Sequence, residues 1–283
     1  MIPFGIHRRI PLIRRPFLQR DRALAENAAL RARLDDMQSA PEAARATAKP
    51  HGDRTRDLKS AYTAQVERTA SFVSTSEAMS TSIGGDFDYI GRVEVAVLLR
   101  HGLKPGDRVV DVGCGSGRLA LPLSSVLTGP YSGFDVVGDL VDYARNLVQR
   151  PDWRFEAVDH IGIPEPDGCA DVVCFFSVLT HLLHEQSYWY LEEARRVVKP
   201  GGTIVVSFLD FEDEEHWSTF AKLVADAKRP DHADPLSVFI GRGALRVWAR
   251  HLDLEVVEMQ GSDFAVADGL YLGQSLCVMR RPL

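Results

Sequence analysis

The sequence predicts an α/β protein built on one mostly parallel sheet of seven strands, with helices on both faces. Seven short apolar segments with strand character alternate with six segments of helical periodicity. The composition, 45% hydrophobic and 25% charged over 283 residues, is that of an ordinary globular chain. This length suits either one large domain or one domain with appendages, and it is sufficient to bury a substantial core.

The strands are predicted at runs rich in β-branched and aromatic residues. They are Arg108–Val112, Tyr131–Asp135, Arg154–Val158, Asp171–Phe176, Thr203–Phe208, Leu254–Met259 and Ser275–Arg280. The helices follow from apolar residues three or four positions apart. They are Tyr89–His101, Arg118–Leu127, Gly138–Gln149, Gln186–Val198, His216–Ala227 and Arg242–His251. Parallel neighbours need crossovers of this length, so the alternation favours a parallel sheet.

Three zones of different character divide the chain. Residues 1–40 are predicted to form a basic arm and a short amphipathic helix, in which leucines such as Leu24 and Leu34 recur near one face. Residues 41–82, rich in alanine, serine, threonine and charge, are predicted to form a linker and a helical lid. Residues 83–283 are predicted to hold the α/β domain.

Charge is distributed unevenly along the sequence. The formal net charge is -6, yet residues 1–20 carry five arginines and no acid. An acidic body repels nucleic acid, so we expect no nucleic-acid partner. The arm could make peripheral contact with an anionic membrane, and residues 21–37 could support a homo-oligomer through two to three heptads.

Neither a membrane-spanning run nor a secretory signal is visible, because arginines interrupt every early apolar stretch. The four cysteines form no CxxC pair and no zinc spacing. Their pattern favours a reducing compartment over a disulfide framework. We therefore expect a cytoplasmic protein, with membrane association through the arm as an addition.

The strongest motif is a glycine-rich loop between the first strand and the next helix. It reads Asp111-Val112-Gly113-Cys114-Gly115-Ser116-Gly117-Arg118. Glycines at alternate positions allow a tight turn and let a ligand approach the backbone, and the loop is expected to present a helix amino terminus. A P-loop is excluded because no Gly-Lys-Ser/Thr follows, and the dinucleotide fingerprint fails at its third glycine, where Arg118 stands.

The spacing D-x-G-x-G-x-G, with Asp111 at the strand end, resembles motif I of the class I S-adenosylmethionine (SAM)-dependent methyltransferases. The segment from Leu191 to Ser207, with its Lys-Pro-Gly-Gly turn, is similar to this family's junction between a helix and the fifth strand. The resemblance covers about residues 83–280. It implies a Rossmann-like fold with strand order 3-2-1-4-5-7-6, with SAM as cofactor and S-adenosylhomocysteine as product. No metal is predicted, although a divalent cation stays open.

The same resemblance implies where SAM is held. The glycine loop would take its amino-acid end, Asp135 the ribose hydroxyls and Asp159 the adenine amino group. The predicted cofactor-binding residues are Asp111, Gly113, Cys114, Gly115, Gly117, Asp135, Val136, Asp159, His160, Phe176 and Ser177. For Asp135 the alternative is a turn residue that caps the next helix.

Methylation of a hydroxyl needs a proton acceptor, and two catalytic candidates follow the fourth and fifth strands. His181 is the first, because imidazole titrates near neutral pH. Asp210 is the second. The alternatives are a packing or capping role for His181 and a helix amino terminus or cation site for the acidic run Asp210–Glu215. His184 is expected to be an exposed helix residue with little effect.

Several aromatic residues could stack on a sugar or aromatic acceptor. They are Tyr188, Trp189, Tyr190, Trp217 and Trp248, of which Trp189 and Trp248 are expected to pack helices on the sheet. The segment Gly84–Gly91 is similar to bacterial members that act on sugars and glycans.

We therefore predict an enzyme, a SAM-dependent methyltransferase that methylates a hydroxyl of a sugar or glycan acceptor. One alternative is an N- or C-methyltransferase of a small metabolite or lipid, which could work without a base. The other is a non-catalytic SAM-binding scaffold subunit that assembles through residues 21–37.

Overall fold

The structure, a computed structural model, describes residues 86–229 and 237–283. Its strands are β1 Val109–Val112, β2 Tyr131–Asp135, β3 Arg154–Ala157, β4 Ala170–Phe175, β5 Val198–Phe208, β6 Glu255–Gln260, β7 Ala265–Ala267, β8 Leu270–Tyr271 and β9 Ser275–Arg280. Its helices are α1 Phe87–Arg100, α2 Ala120–Leu123, α3 Gly138–Val148, α4 His184–Val197, α5 Glu214–Ala227 and α6 Arg242–His251. The predictions for residues 1–82 lie outside the described residues.

Seven strands form one sheet in the order β3-β2-β1-β4-β5-β9-β6. The pairs from β3 to β5 are parallel, and β9 lies antiparallel between β5 and β6. The predicted order is confirmed, since β9 is the strand predicted as the seventh. The β7–β8 hairpin is additional. Strands this short give no alternating pattern by which a sequence could predict them.

Helices cover both faces of the sheet, and successive side chains of a strand enter different apolar cores. Val109 and Val205 lie in one core, and Val110 and Ile204 lie in the other. β1 is buried at all of its positions, as expected for a central parallel strand. Because β1 to β5 are parallel, the carboxyl ends of these strands lie along one edge of the sheet, called here the carboxyl edge.

The helix after the glycine loop is much shorter than the predicted Arg118–Leu127. α2 has four residues. The hydroxyls of Ser124 and Ser125 donate to the carbonyls of Leu121 and Pro122, three residues back, which competes with the backbone bonds of a longer helix and favours an early end. The loop still leads directly into this helix, so the correction concerns the length of the helix.

β5 begins before the predicted Thr203. Val198 already pairs with Ala170, and a register shift follows before Thr203 pairs with Val172. The Pro-Gly-Gly turn lies within this irregularity, where Gly201 has a φ of +77°. The motif lies at the end of the sheet opposite to the carboxyl edge, so it supports the fold and not the site. No helix in the described ranges has the length and apolar character to cross a bilayer.

Candidate functional site

The glycine loop joins β1 to α2 at the carboxyl edge. Gly113, Gly115 and Gly117 have φ values of +78°, +52° and +91°, a region in which other L-residues are strained. A Cβ atom on Gly113 would lie 2.3 Å from Cγ2 of Val178, a residue that follows β4. Both the bends of the loop and its close approach to the next crossover therefore require glycine.

Two backbone amides fix the loop to β2. The N–H groups of Gly113 and Cys114 both donate to the carbonyl of Phe134, at 2.7 and 3.0 Å. The Cys114 side chain is buried, and its sulfur would lie 3.0 Å from a Cβ on Gly133. Cys114 therefore packs its thiol against β2, and any contact with a ligand would be left to its backbone.

Asp135 ends β2 directly beside the glycine loop. Its carboxylate accepts hydrogen bonds from the amides of Gly115 at 2.9 Å and Val137 at 3.0 Å. Burial raises the pKa of Asp135, although these amides oppose the rise. A carboxylate has about four lone-pair sites, more than these amides use, so the group can also accept hydrogen bonds from hydroxyls. Asp135 could therefore hold the ribose of SAM, and its bond to the Val137 amide is a turn contact with the residue that precedes α3.

Asp111 is buried beneath the loop. Its carboxyl group accepts a hydrogen bond from the Tyr131 hydroxyl at 2.7 Å and one from the Cys174 thiol at 3.7 Å. Burial raises the pKa of Asp111 from 3.8 to about 7. The contacts of this predicted cofactor residue are with buried protein groups, and they support the base of the loop.

A buried ion pair, absent from the sequence predictions, clamps α1 to the loop. Nε and Nη2 of Arg118 donate to Oε1 of Glu94 at 3.0 and 2.6 Å. Burial raises the pKa of Glu94, and the nearby guanidinium opposes the rise. One turn before, Gly91 approaches so closely that a Cβ would lie 2.3 Å from the Arg118 carbonyl oxygen. A lone acid in the apolar stretch Val93-Glu94-Val95 was the signal available in the sequence.

The end of β4 is held in an unusual conformation. Ser177 has a φ of +62°, which is uncommon for a residue with a side chain. Its amide donates to the Ser207 hydroxyl at 2.7 Å, and that hydroxyl donates to Gln274 at 2.7 Å. Phe176 beside it is buried. Strain of this kind concentrates at functional sites, which agrees with the predicted place of both residues.

The remaining predicted cofactor residues follow β2 and β3. Val136 is half-buried next to Asp135. Asp159 and His160 have exposed side chains, and a hydrogen bond from the Val158 amide to the Asp135 carbonyl, at 2.8 Å, joins the start of their loop to the end of β2. The carboxyl edge thus brings the predicted cofactor residues to the ends of four adjacent strands.

The two histidines after β4 have different settings. His181 ends a 3-10 turn, Leu179–His181, and is half-buried at the carboxyl edge. His184 begins α4, where its Nε2 lies 3.1 Å from the Phe239 carbonyl and its ring packs edge-on against Trp248. These contacts give His184 a structural role. His181 stays the candidate base after β4 because of its position in the turn that follows this strand.

Asp210, the second candidate base, is fully buried after β5. Its carboxylate accepts from the Arg242 guanidinium and from the Glu212 amide at 3.0 Å. Further along the acidic run, Asp213 caps α5 by accepting from the amides of Glu215 and His216. Asp213 thus has the role expected at a helix amino terminus, whereas Asp210 is held in a buried pair with Arg242. Within residues 86–229 and 237–283, no group of three or more His, Cys, Asp or Glu side chains could hold a metal ion.

The sequence of this chain is similar to the sequences of known methyltransferases. Residues 109–202, from β1 into β5, match the family model described as "Methyltransferase domain". A 27-O-demethylrifamycin SV methyltransferase from Amycolatopsis mediterranei is 30% identical over 37% of this chain and 39% of its own. A ubiquinone biosynthesis O-methyltransferase from Xanthomonas campestris is 28% identical over 56% of this chain and 66% of its own. The matched regions thus span less than two thirds of these relatives.

Solved structures share the fold. Magnesium protoporphyrin IX methyltransferase from Synechocystis, with bound S-adenosylhomocysteine, has a TM-score of 0.55 at 18% identity and covers 76% of this chain and 99% of its own. A SAM-dependent methyltransferase from Methanosarcina mazei has a TM-score of 0.54 at 15% identity and covers 66% of this chain and 97% of its own. The described residues therefore have the fold of these SAM-dependent methyltransferase structures, and residues 109–202 match the model of a methyltransferase domain.

Proposed function

We propose that this chain is a SAM-dependent O-methyltransferase that methylates a hydroxyl group of a sugar or glycan acceptor. One observation carries the cofactor part of the proposal: the Asp135 carboxylate is bonded to the Gly115 amide, so that the ribose acid and the glycine loop form one site. When bound, SAM supplies a methyl group activated by its sulfonium sulfur. The O-methyltransferases among the relatives support oxygen as the accepting atom.

Three tasks would fall to different residues of the chain: binding the cofactor, positioning the acceptor and accepting the hydroxyl proton. Asp135 and the glycine loop would orient the cofactor, and the loops after β4 and β5 would position the acceptor. In-line alignment of donor and acceptor supplies much of the acceleration of such a transfer. His181 would accept the hydroxyl proton, because a neutral alcohol is a weak nucleophile and imidazole is a suitable base near pH 7.

Substitution of the two histidines tests this role. The true acceptor is first identified by incubating the full chain with labelled SAM and fractionated cell extract, followed by mass spectrometry of the labelled product. With that acceptor, His181→Ala should reduce turnover by ~10²–10⁴-fold, as expected for the loss of a general base, and should leave SAM affinity nearly intact. His184→Ala is the matched control, and its effect should be much smaller.

Near-normal turnover of His181→Ala would exclude His181 as the base. Asp210 could then take the role only if it were released from its buried pair with Arg242; otherwise the methylated atom would not be a hydroxyl oxygen. Label found on nitrogen or carbon of the product would favour the alternative of a metabolite or lipid N- or C-methyltransferase. Cofactor binding without any labelled product would favour a non-catalytic SAM-binding subunit. Membrane contact through residues 1–20 and self-association through residues 21–37 stay expectations beside this proposal.

A further inference from the structure

Four aromatic rings form a continuous cluster beside the carboxyl edge, called here the aromatic platform. It consists of Phe211, Trp217, Phe220 and Phe239. Phe220 lies 5.2–5.4 Å, between ring centroids, from each of the other three. Aromatic rings at these separations stabilise one another, so each exposed ring of the platform packs against Phe220.

The backbone places this platform next to the proposed catalytic turn. Phe211 follows β5 by three residues, and Phe239 bridges to Leu209. The amide of Val238 donates to the Thr180 carbonyl at 2.7 Å, one residue before His181. The platform therefore adjoins the loops after β4 and β5, which are the loops that line ligand crevices in open parallel sheets.

Burial across the platform is graded from inside to outside. Phe239 is 4% exposed, whereas Phe211 is 40% and Trp217 is 53% exposed. α5 carries Trp217, and the one residue of α5 that is buried is His216. An anchored indole with an open face is suited to stacking on a flat ligand surface, and less suited to enclosing a wholly apolar molecule.

Carboxylates surround the exposed rings. Glu212, Glu214 and Glu215 are exposed, and Glu214 lies three residues before Trp217, so both are on one face of α5. Carboxylates accept hydrogen bonds from hydroxyl groups and repel anions. The combination of a stacking ring and flanking acceptors is complementary to a ring that has many hydroxyls and no negative charge.

We propose that the aromatic platform binds an uncharged saccharide ring of the acceptor, with its apolar C–H face on Trp217 and its hydroxyls toward the glutamates. The proposal rests on the proposed function, because it names the acceptor class of that same site. It excludes phosphorylated sugars, sugar nucleotides and uronic acids as the unit that stacks on Trp217. It also makes Trp217 and Phe211 residues that determine acceptor specificity.

The test uses the full chain with excess S-adenosylhomocysteine and methyl glycosides of neutral hexoses and 6-deoxyhexoses as probes. Binding is followed by saturation-transfer NMR with titration. At least one neutral glycoside should bind saturably, and Trp217→Ala should weaken its binding at least fivefold. Trp189→Ala is the matched control, because Trp189 is 52% exposed on α4 outside the platform, and this variant should bind like the parent. Phe211→Ala provides a second variant if Trp217→Ala loses helical structure by circular dichroism.

Charge provides the second arm of the experiment. A 6-phosphate or uronate form of the bound glycoside should bind at least fivefold more weakly, and Glu214→Gln with Glu215→Gln should reduce this difference. Trp217-dependent binding of 2-naphthol without binding of any glycoside would overturn the proposal in favour of an aromatic acceptor. A dimer that Trp217→Ala dissociates, again without glycoside binding, would overturn it in favour of a contact between two copies. SAM affinity, measured by calorimetry on the same samples, tests the proposed function separately.

Discussion

A single methyl group added at Gly91 tests whether α1 supports the glycine loop. In Gly91→Ala the new Cβ would lie 2.3 Å from the Arg118 carbonyl oxygen and 3.2 Å from Cγ of Pro122. Ordinary contact requires a separation about 1 Å larger than the first distance, so the helix and the loop must move apart. The Glu94–Arg118 pair, one turn along α1, resists this movement because both partners are buried.

The magnitude follows from two opposing effects. Overpacking of a closely packed site costs ~1–3 kcal/mol, whereas replacement of glycine by alanine in a helix contributes ~0.5–1 kcal/mol of stability. We therefore expect Gly91→Ala to lower the free energy of unfolding by ~1–2 kcal/mol. Its SAM affinity should also fall, because Arg118 is adjacent to Gly117 in the loop.

Gly243→Ala is the matched control for this prediction. Gly243 is also a helical glycine, in α6, but a Cβ there would meet no heavy atom within 4 Å. This variant should gain up to ~1 kcal/mol and keep its SAM affinity. Urea unfolding gives the two stabilities, and calorimetry gives the two affinities. Equal stability changes in both variants, with unchanged SAM binding, would refute the role assigned to α1.

Two further predictions concern the acids of the site. The pKa of Asp111 is about 7 in the folded state, whereas in the unfolded chain it is near the ordinary value of 3.8. Between these pH values the folded state binds more protons than the unfolded state, so the stability of the parent should fall as the pH rises. Asp111→Asn should therefore gain up to ~4 kcal/mol relative to the parent from pH 4 to pH 8 in urea unfolding; a pH-independent difference would contradict the assignment. Asp135→Ala should weaken SAM binding ~10–100-fold by calorimetry, as expected for the loss of hydrogen bonds to a charged group. Asp159→Ala, whose side chain is exposed, should have a smaller effect, and equal losses would count against Asp135 as the main ribose ligand.

The sequence alone predicted the elements that depend on local patterns. Tyr131–Asp135, Arg242–His251 and Ser275–Arg280 have the predicted bounds, because their apolar periodicity and flanking turn residues agree with their final environment. The glycine loop and Asp135 were also predictable from short motifs. Alternate glycines indicate the left-handed backbone angles of the loop, and Asp135 stands at the end of a predicted strand. From these features the sequence predicted a cofactor site at the carboxyl edge before any contact was known.

Only the tertiary structure decided which residues far apart in the chain contact one another. Trp189 was expected to pack inside and is exposed on α4, because a helical pattern does not state which of its faces meets the sheet. The partner of Arg118 is Glu94, 24 positions away, and Asp210 is engaged by Arg242, 32 positions away. The aromatic platform likewise joins Phe211 and Phe239 through a bridge at Leu209. Such contacts depend on how the crossovers fold back onto the sheet, and short-range residue spacing contains no information about that geometry.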